Sequence, residues 1–361
     1  MNDIETLVHF SNKYGASSDY VIAGGGNTSC KDDAYLYVKG SGTALGTIQA
    51  DSFVKMNRSG LDAIMTKSYS ENEKERESQV LADMMAACAP GEKRRPSVEA
   101  MLHNLFPQKF VLHLHPAIVN GITCANEYTD TIGRLFPDAL VTYGSKPGYV
   151  LAAMCARELN AYKALKGRDC DMLFLQNHGV FFAANSEEGL DVLVGDCINK
   201  IKNEIKRFPS FSEADANAEA VVKCGAAIEK AFEGQTVRFA GGKDVLEFDP
   251  LTKSPTPDHI VYAKARMLAV NPGFDAQEIL CAAGKFEKLN GYAPKVIYVN
   301  GIGAFILGTS EKDAELIRLI FLDFVKITVY AESFGGYSPM TDELIAFICN
   351  WEAESYRRKQ I

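Results

Sequence analysis

The sequence predicts an α/β fold, and three observations carry that reading. Strand-like and helix-like runs alternate through the first 200 residues, strand candidates empty into glycine-rich turns, and the helical runs keep their apolar residues on one face. Ile4, Leu7, Val8 and Tyr14 stand at helical spacing, and the run ends at Gly15, which suits a helix C-terminus. Tyr20–Ala23 is a short apolar run that reads as a strand entering the loop Gly24-Gly25-Gly26-Asn27-Thr28-Ser29. Tyr35–Val38 reads as the next strand, with Gly40-Ser41-Gly42 as its turn. Glu71–Ala89 begins charged and ends apolar, with Val80, Leu81, Met84 and Met85 on one side, and Pro90-Gly91 stops it. Pro96 opens a further helix through His103. Phe110–His115 and Met172–Gln176 read as strands, and the stretches Val150–Leu165 and Glu187–Phe208 as helices.

The chain has 361 residues, 38 Lys and Arg against 46 Asp and Glu, and 47% hydrophobic residues, as expected of a soluble globular protein of one large or two modest domains. A net charge of −8 gives no broad basic face, which argues against a nucleic-acid partner and against a polybasic membrane-surface protein. Asp3, Glu5 and Asp19 interrupt the first thirty residues, so neither a signal peptide nor a membrane span is expected, and the expected location is cytoplasmic. Nine cysteines at irregular spacing, without a CxxC, fit reduced core thiols.

Composition shifts after Pro209, where Ser210–Ala227 is rich in Ala, Glu, Asp and Ser and reads as a linker leading into a helix. A boundary near residue 212 follows, giving domains 1–212 and 213–361. The second part contains a partial repeat of the first, with Leu175-Gln-Asn-His178-Gly-Val-Phe181 lying over Val299-Asn-Gly-Ile302-Gly-Ala-Phe305 and a Ser-Glu helix start shared beyond both. Duplication and a recurrent strand-turn-strand-helix unit both explain this pairing. Under either, Ile302 stands opposite His178, so the second copy lacks a metal-competent side chain. Asp313–Tyr330 and Asp342–Arg358 read as helices with apolar faces, suited to a structural or assembly role.

Six histidines occur, at positions 9, 103, 113, 115, 178 and 259, and three of them look recruited. His113 and His115 are two apart on a strand and point to one side, which suits a divalent metal. His-x-His alone is more often a chance core pair. His178, between Asn177 and Gly179 at the end of another strand, reverses that balance, since three histidines with one open position describe a catalytic zinc site. Glu99 follows Pro96-Ser97-Val98 near a helix start, where a carboxylate either complements the helix dipole or, beside a metal, exchanges a proton. The Gly24–Ser29 segment fits neither a Walker loop nor a dinucleotide fingerprint, and with Lys39-Gly40-Ser41-Gly42-Thr43 it forms a pair of candidate anion loops. His103, four residues beyond Glu99, either orients that carboxylate or is an ordinary histidine.

Taken in order, Gly25-Gly26-Asn27-Thr28-Ser29, Lys39-Gly40-Ser41-Gly42, Pro96-Ser97-Val98-Glu99, His113-Leu-His115 and Asn177-His178-Gly179 resemble the class II aldolase/adducin family. The later part, with Pro255-Thr-Pro-Asp-His259 and Glu332-Ser-Phe-Gly-Gly-Tyr337, resembles the aldolase portion of bifunctional rhamnulose-phosphate aldolase/dehydrogenase proteins. The resemblance implies a three-layer αβα domain followed by a smaller α/β region. It implies His113, His115 and His178 as ligands of zinc, with cobalt or manganese able to substitute, and Glu99 as the proton shuttle. Asn27, Ser29, Ser41, Gly42 and Ser97 would cradle a substrate phosphate, although Val98 stands where smaller aldolases of the family tend to carry a second hydroxyl. Tyr143 is a further acid/base candidate. The implied reaction is cleavage of a ketose 1-phosphate to dihydroxyacetone phosphate and an aldehyde such as lactaldehyde. The alternatives are a sugar-phosphate 4-epimerase and a non-catalytic adducin-like module. The implied partners are a phosphorylated sugar and further copies of the chain, and without a dinucleotide fingerprint NAD is not expected to bind.

Overall fold

The computed structural model describes residues 2–212 and 218–351. Two compact units emerge. The first comprises residues 2–119, 128–203 and Trp351, and the second residues 120–127, 204–212 and 218–350. The two units divide between Asn203 and Glu204, at the end of a helix. The short segment Asn120–Glu127 joins the second unit through backbone bonds from Asn126 N to Gly336 O and from Glu127 N to Phe334 O. No helix among the described residues is long and apolar enough to cross a membrane.

In the first unit α1 (Asp3–Gly15) starts at a reciprocal cap between Asn2 and Glu5, which satisfies two otherwise orphaned amides. Three strands follow: β1 (Asn27–Lys31), β2 (Tyr35–Lys39) and β3 (Phe53–Asn57). After them come α2 (Arg58–Thr66), α3 (Glu73–Ala86), α4 (Ala100–Leu105), β4 (Phe110–Leu114), α5 (Ala117–Thr123, whose residues from Asn120 on belong to the second unit), α6 (Tyr128–Leu135), β5 (Leu140–Thr142), α7 (Tyr149–Lys166), β6 (Met172–Leu175), β7 (Gly179–Ala184) and α8 (Glu187–Glu204). The seven strands form one sheet in the order β3-β2-β1-β4-β7-β6-β5, antiparallel except for β5 beside β6. On one face Val38, Val54, Val111, Leu175 and Phe181 pack with residues of α2, α3, α4 and α7. On the other, Ser11 of α1 bonds Thr28 of β1, and Tyr14 of α1 reaches Asp191 of α8. Helices therefore cover both faces, as the predicted three layers require.

Two local expectations are corrected. Tyr20–Ala23 is not a strand; it turns through Tyr20 N to Ser17 O and reaches φ 55° at Ala23. The strand is instead the polar run Asn27–Lys31, because that run finds ladder partners on both sides, β2 and β4. The helix expected from Pro96 begins only at Ala100, since Pro96 forms an extended bridge with Gly40 and Ser97 N donates to Lys39 O.

The second unit contains α9 (Ala218–Ala231), β8 (Thr236–Ala240), α10 (Lys243–Leu246), α11 (Pro257–Ala263), β9 (Leu268–Val270), α12 (Ala276–Asn290), β10 (Val296–Val299), β11 (Gly303–Gly308), α13 (Glu311–Ala331) and α14 (Asp342–Asn350). Residues 213–217 of the expected linker, and the end of the helix expected over Asp342–Arg358, lie outside the described residues. Its sheet order, β8-β11-β10-β9, reproduces β4-β7-β6-β5 of the first unit, including one parallel pair at the matching edge. The registers agree residue by residue. Leu175 faces Gly179 as Val299 faces Gly303, Met172 faces Phe182 as Val296 faces Ile306, and His113 faces Phe181 as Phe239 faces Phe305. The helices before and between these strands also follow in the same order, so the similarity seen over one hairpin extends across a whole layered unit.

Candidate metal centre

Three chain segments meet at the end of β4. His113 is the fourth residue of β4, His115 follows the strand, and His178 sits in the turn between β6 and β7. That turn needs a left-handed residue, supplied by Asn177 at φ 54°, a conformation Asn tolerates better than most side chains. Gly179 is required next to it, because a Cβ there would stand 2.4 Å from Leu114 O and 2.7 Å from His115 Cδ2.

The imidazoles converge through their Nε2 atoms. His113 Nε2 is 2.8 Å from His115 Nε2 and 3.4 Å from His178 Nε2. His113 Nδ1 lies 3.0 Å from Val180 O, and since a carbonyl only accepts, the proton sits on Nδ1 and the Nε2 lone pair points into the cluster. The donor set, with all its ligand atoms within 4.8 Å of one another, fits a divalent ion that takes nitrogen ligands.

Glu99 closes the site from the other side. It stands just before α4 and is buried, with Oε1 3.3 Å from His113 Nε2 and 3.2 Å from His178 Nε2. Its Oε2 accepts from Asn27 Nδ2, while among the described residues Oε1 and Asn27 Oδ1 have no hydrogen-bond partner. Burial pushes the Glu99 carboxyl up; when the imidazoles of His113 and His178 carry a proton on the nitrogen facing it, they outweigh burial and hold the group well below the usual carboxylate range. Two buried acceptors left unmatched beside three converging imidazole nitrogens are what a cation and a polar substrate would satisfy.

The family model for the class II aldolase and adducin N-terminal domain matches residues 5–188. The chain belongs to the class II aldolase and adducin family. An uncharacterized oxidoreductase of Bacillus subtilis is 22% identical over 98% of this chain, which spans 58% of that relative's length. Among solved structures, the class II aldolase domain of a Thermoplasma acidophilum protein is 25% identical, covers 57% of this chain and 94% of its own, and has a TM-score of 0.49. An L-fuculose-1-phosphate aldolase of Thermus thermophilus is 12% identical, with coverage of 55% and 92% and a TM-score of 0.36.

In this class II aldolase family member the residues assigned from sequence fall into three groups. His113, His115, His178, Glu99 and Asn27 come together. Ser41, Gly42 and Ser97 lie on two adjoining loops, joined by Ser41 N to Arg95 O and Ser97 N to Lys39 O, and Gly42 takes the left-handed φ of 84°. Ser29 and Tyr143 fall elsewhere. The Ser29 hydroxyl is fully buried against His103 Nδ1 at 2.8 Å. Tyr143 follows β5, is 71% exposed, and no described contact links it to the histidines or Glu99. Lys39, in one of the candidate anion loops, donates its buried ammonium to Gly24 O and Thr43 O and ties two loops together. Lys31 was not singled out in the sequence at all, because a lysine in a polar run reads as a solvated charge.

Proposed function

We propose that this chain is a metal-dependent aldolase that cleaves a ketose 1-phosphate, such as rhamnulose or fuculose 1-phosphate, to dihydroxyacetone phosphate and an aldehyde such as lactaldehyde. The observation that supports this reading most is the convergence of three imidazole Nε2 atoms with an unmatched carboxylate oxygen of Glu99. His113, His115 and His178 would hold the ion, zinc by preference and cobalt or manganese as substitutes. A divalent ion there supplies the positive charge that stabilises an enediolate-like charge beside a carbonyl. Bond cleavage between C3 and C4 requires a proton to leave the C4 hydroxyl and another to arrive at C3. Glu99 is the group assigned to C3, delivering the proton in cleavage and withdrawing it in condensation. Tyr143 is the proposed partner of the C4 oxygen, and Asn27 keeps Glu99 oriented. Ser41, Gly42 and Ser97 are proposed to hold the phosphate through hydroxyls and backbone amides.

The resemblance to the aldolase part of bifunctional rhamnulose-phosphate proteins favours rhamnulose 1-phosphate, and a homo-oligomer is expected from the same resemblance. Elemental analysis of purified protein, paired with a coupled assay for dihydroxyacetone phosphate release, tests the proposal. Near-stoichiometric zinc with chelator-sensitive release supports it and selects the sugar. Zinc with return of the epimeric ketose and no free aldehyde would make the protein a 4-epimerase. A folded protein without metal would make it a non-catalytic module.

A further inference from the structure

The six-residue helix α4 carries Glu99 at its start, yet so short a helix has little stability of its own. Something must fix its height and rotation, because the Glu99 carboxylate has to sit within hydrogen-bond reach of two histidines. Strand β1 lies alongside and meets the helix three times. Asn27, Ser29 and Lys31 alternate along the strand and therefore project from one face. Asn27 donates to Glu99 before the first turn of α4, and Ser29 pairs with His103 inside it at 2.8 Å. Lys31 Nζ reaches the last carbonyls, 2.6 Å from His103 O and 2.6 Å from Phe106 O. All three side chains are buried, so none of these bonds competes with bulk water.

We infer that β1 acts as a ruler for α4, and that Lys31 together with the Ser29–His103 pair are positioning residues for the Glu99 carboxylate. The inference rests on the aldolase reading for its kinetic consequence, but its structural consequence stands alone. Helix C-terminal carbonyls are otherwise unmatched acceptors, and a buried amine that takes two of them locks the helix along its axis. The hydroxyl-to-imidazole bond at His103, one turn on from Glu99, locks its rotation. Neither group reaches the histidine cluster by any described contact, so both act through Glu99.

The test uses Lys31→Met, which keeps the length of the side chain and removes its donors, and Ser29→Ala, which removes one hydroxyl and serves alone if the first variant does not fold. Crystal structures of the metal-free wild type and variants read the Glu99 position directly. The expected result is a carboxylate shifted by about 1 Å or more from His113 and His178, with kcat lowered by about 10–100-fold and KM changed by less than about threefold. In a Glu99→Gln background Lys31→Met is expected to cost no further activity, since a residue acting through Glu99 has nothing left to position. Superimposable Glu99 carboxylates in wild type and variants would overturn the inference, as would an undiminished loss in the Glu99→Gln background. If the wild type cleaves no ketose phosphate, the aldolase reading fails while the crystallographic comparison still decides this one.

Discussion

His113 lies flat against Phe181, ring centroids 4.0 Å apart and planes within 12°, while Phe239 meets Phe305 at the matching register position of the second unit with centroids 5.2 Å apart. The two layered units thus place an imidazole and a phenyl ring at one topological position. At the other two positions Gly241 and Ile302 replace His115 and His178. A single ion per chain is therefore expected. His113→Ala is expected to abolish both bound zinc and turnover, checked by elemental analysis and the release assay on one preparation. Full activity from a metal-free preparation would end the metal-dependent reading.

Glu99→Gln separates the carboxylate from the ligands. The amide is close to isosteric and can still pair with Asn27, but it cannot carry a proton to carbon. Zinc content is expected to stay at the wild-type level while kcat falls by about 10²–10⁴-fold, the usual range for loss of a general acid or base. Loss of zinc along with activity would assign Glu99 to metal retention instead.

Gly179 tests the packing around His115. A methyl group there would press on Leu114 O at 2.4 Å and on the His115 ring at 2.7 Å, and backbone cannot yield as a flexible side chain does. Gly179→Ala is expected to displace His115 and weaken zinc binding by about 10–100-fold, comparable to the loss of groups that orient metal ligands. Competition with a chelator of known affinity measures this, and circular dichroism confirms that the fold survives.

Lys31 ties stability to pH. Burial lowers its pKa from 10.5 to about 7, with Arg58 pushing the same way and Cys30 weakly against. Between about pH 7 and 10.5 the unfolded chain holds a proton on this amine that the folded chain lacks, so this group makes stability rise with pH through that window and contributes no slope below it. Urea midpoints at pH 6, 8 and 9.5 are expected to show wild type gaining on Lys31→Met across the series. A flat or falling difference would mean that Lys31 stays charged when buried.

Much of the fold was legible from apolar periodicity. The helix near Ile4 buries Leu7 and Tyr14, the helix near Val80 buries Val80 and Met84, the helix near Val150 buries Leu151, and the strands Phe110–Leu114 and Met172–Leu175 are buried throughout. The strand Asn27–Lys31 was not legible, because its inward residues are Asn, Ser and Lys and its burial is satisfied by hydrogen bonds, a feature with no hydropathic signature. The contact of Ser29 with His103 was equally hidden. A hydroxyl beside glycines reads as an anion donor, and only the pairing of β1 with β4 reveals that it faces α4. His113 and His115 were legible because a two-residue spacing on a strand is itself geometry, whereas the distance from either to Glu99 depends on a loop that sequence does not measure.

The alternation of β1 makes correct strand pairing and a working centre one event. Sliding β1 by a single residue against β4 would turn Asn27, Ser29 and Lys31 toward α1 and bring Thr28 and Cys30 under α4, leaving the short helix with neither its amide nor its amine. The hydrophobic residues of β2 and β4 would barely register such a slip as a change in greasiness. What forbids it is the cost of stranding an amine and a carboxylate without partners, so the polar residues of this strand proofread the assembly of the sheet that carries them.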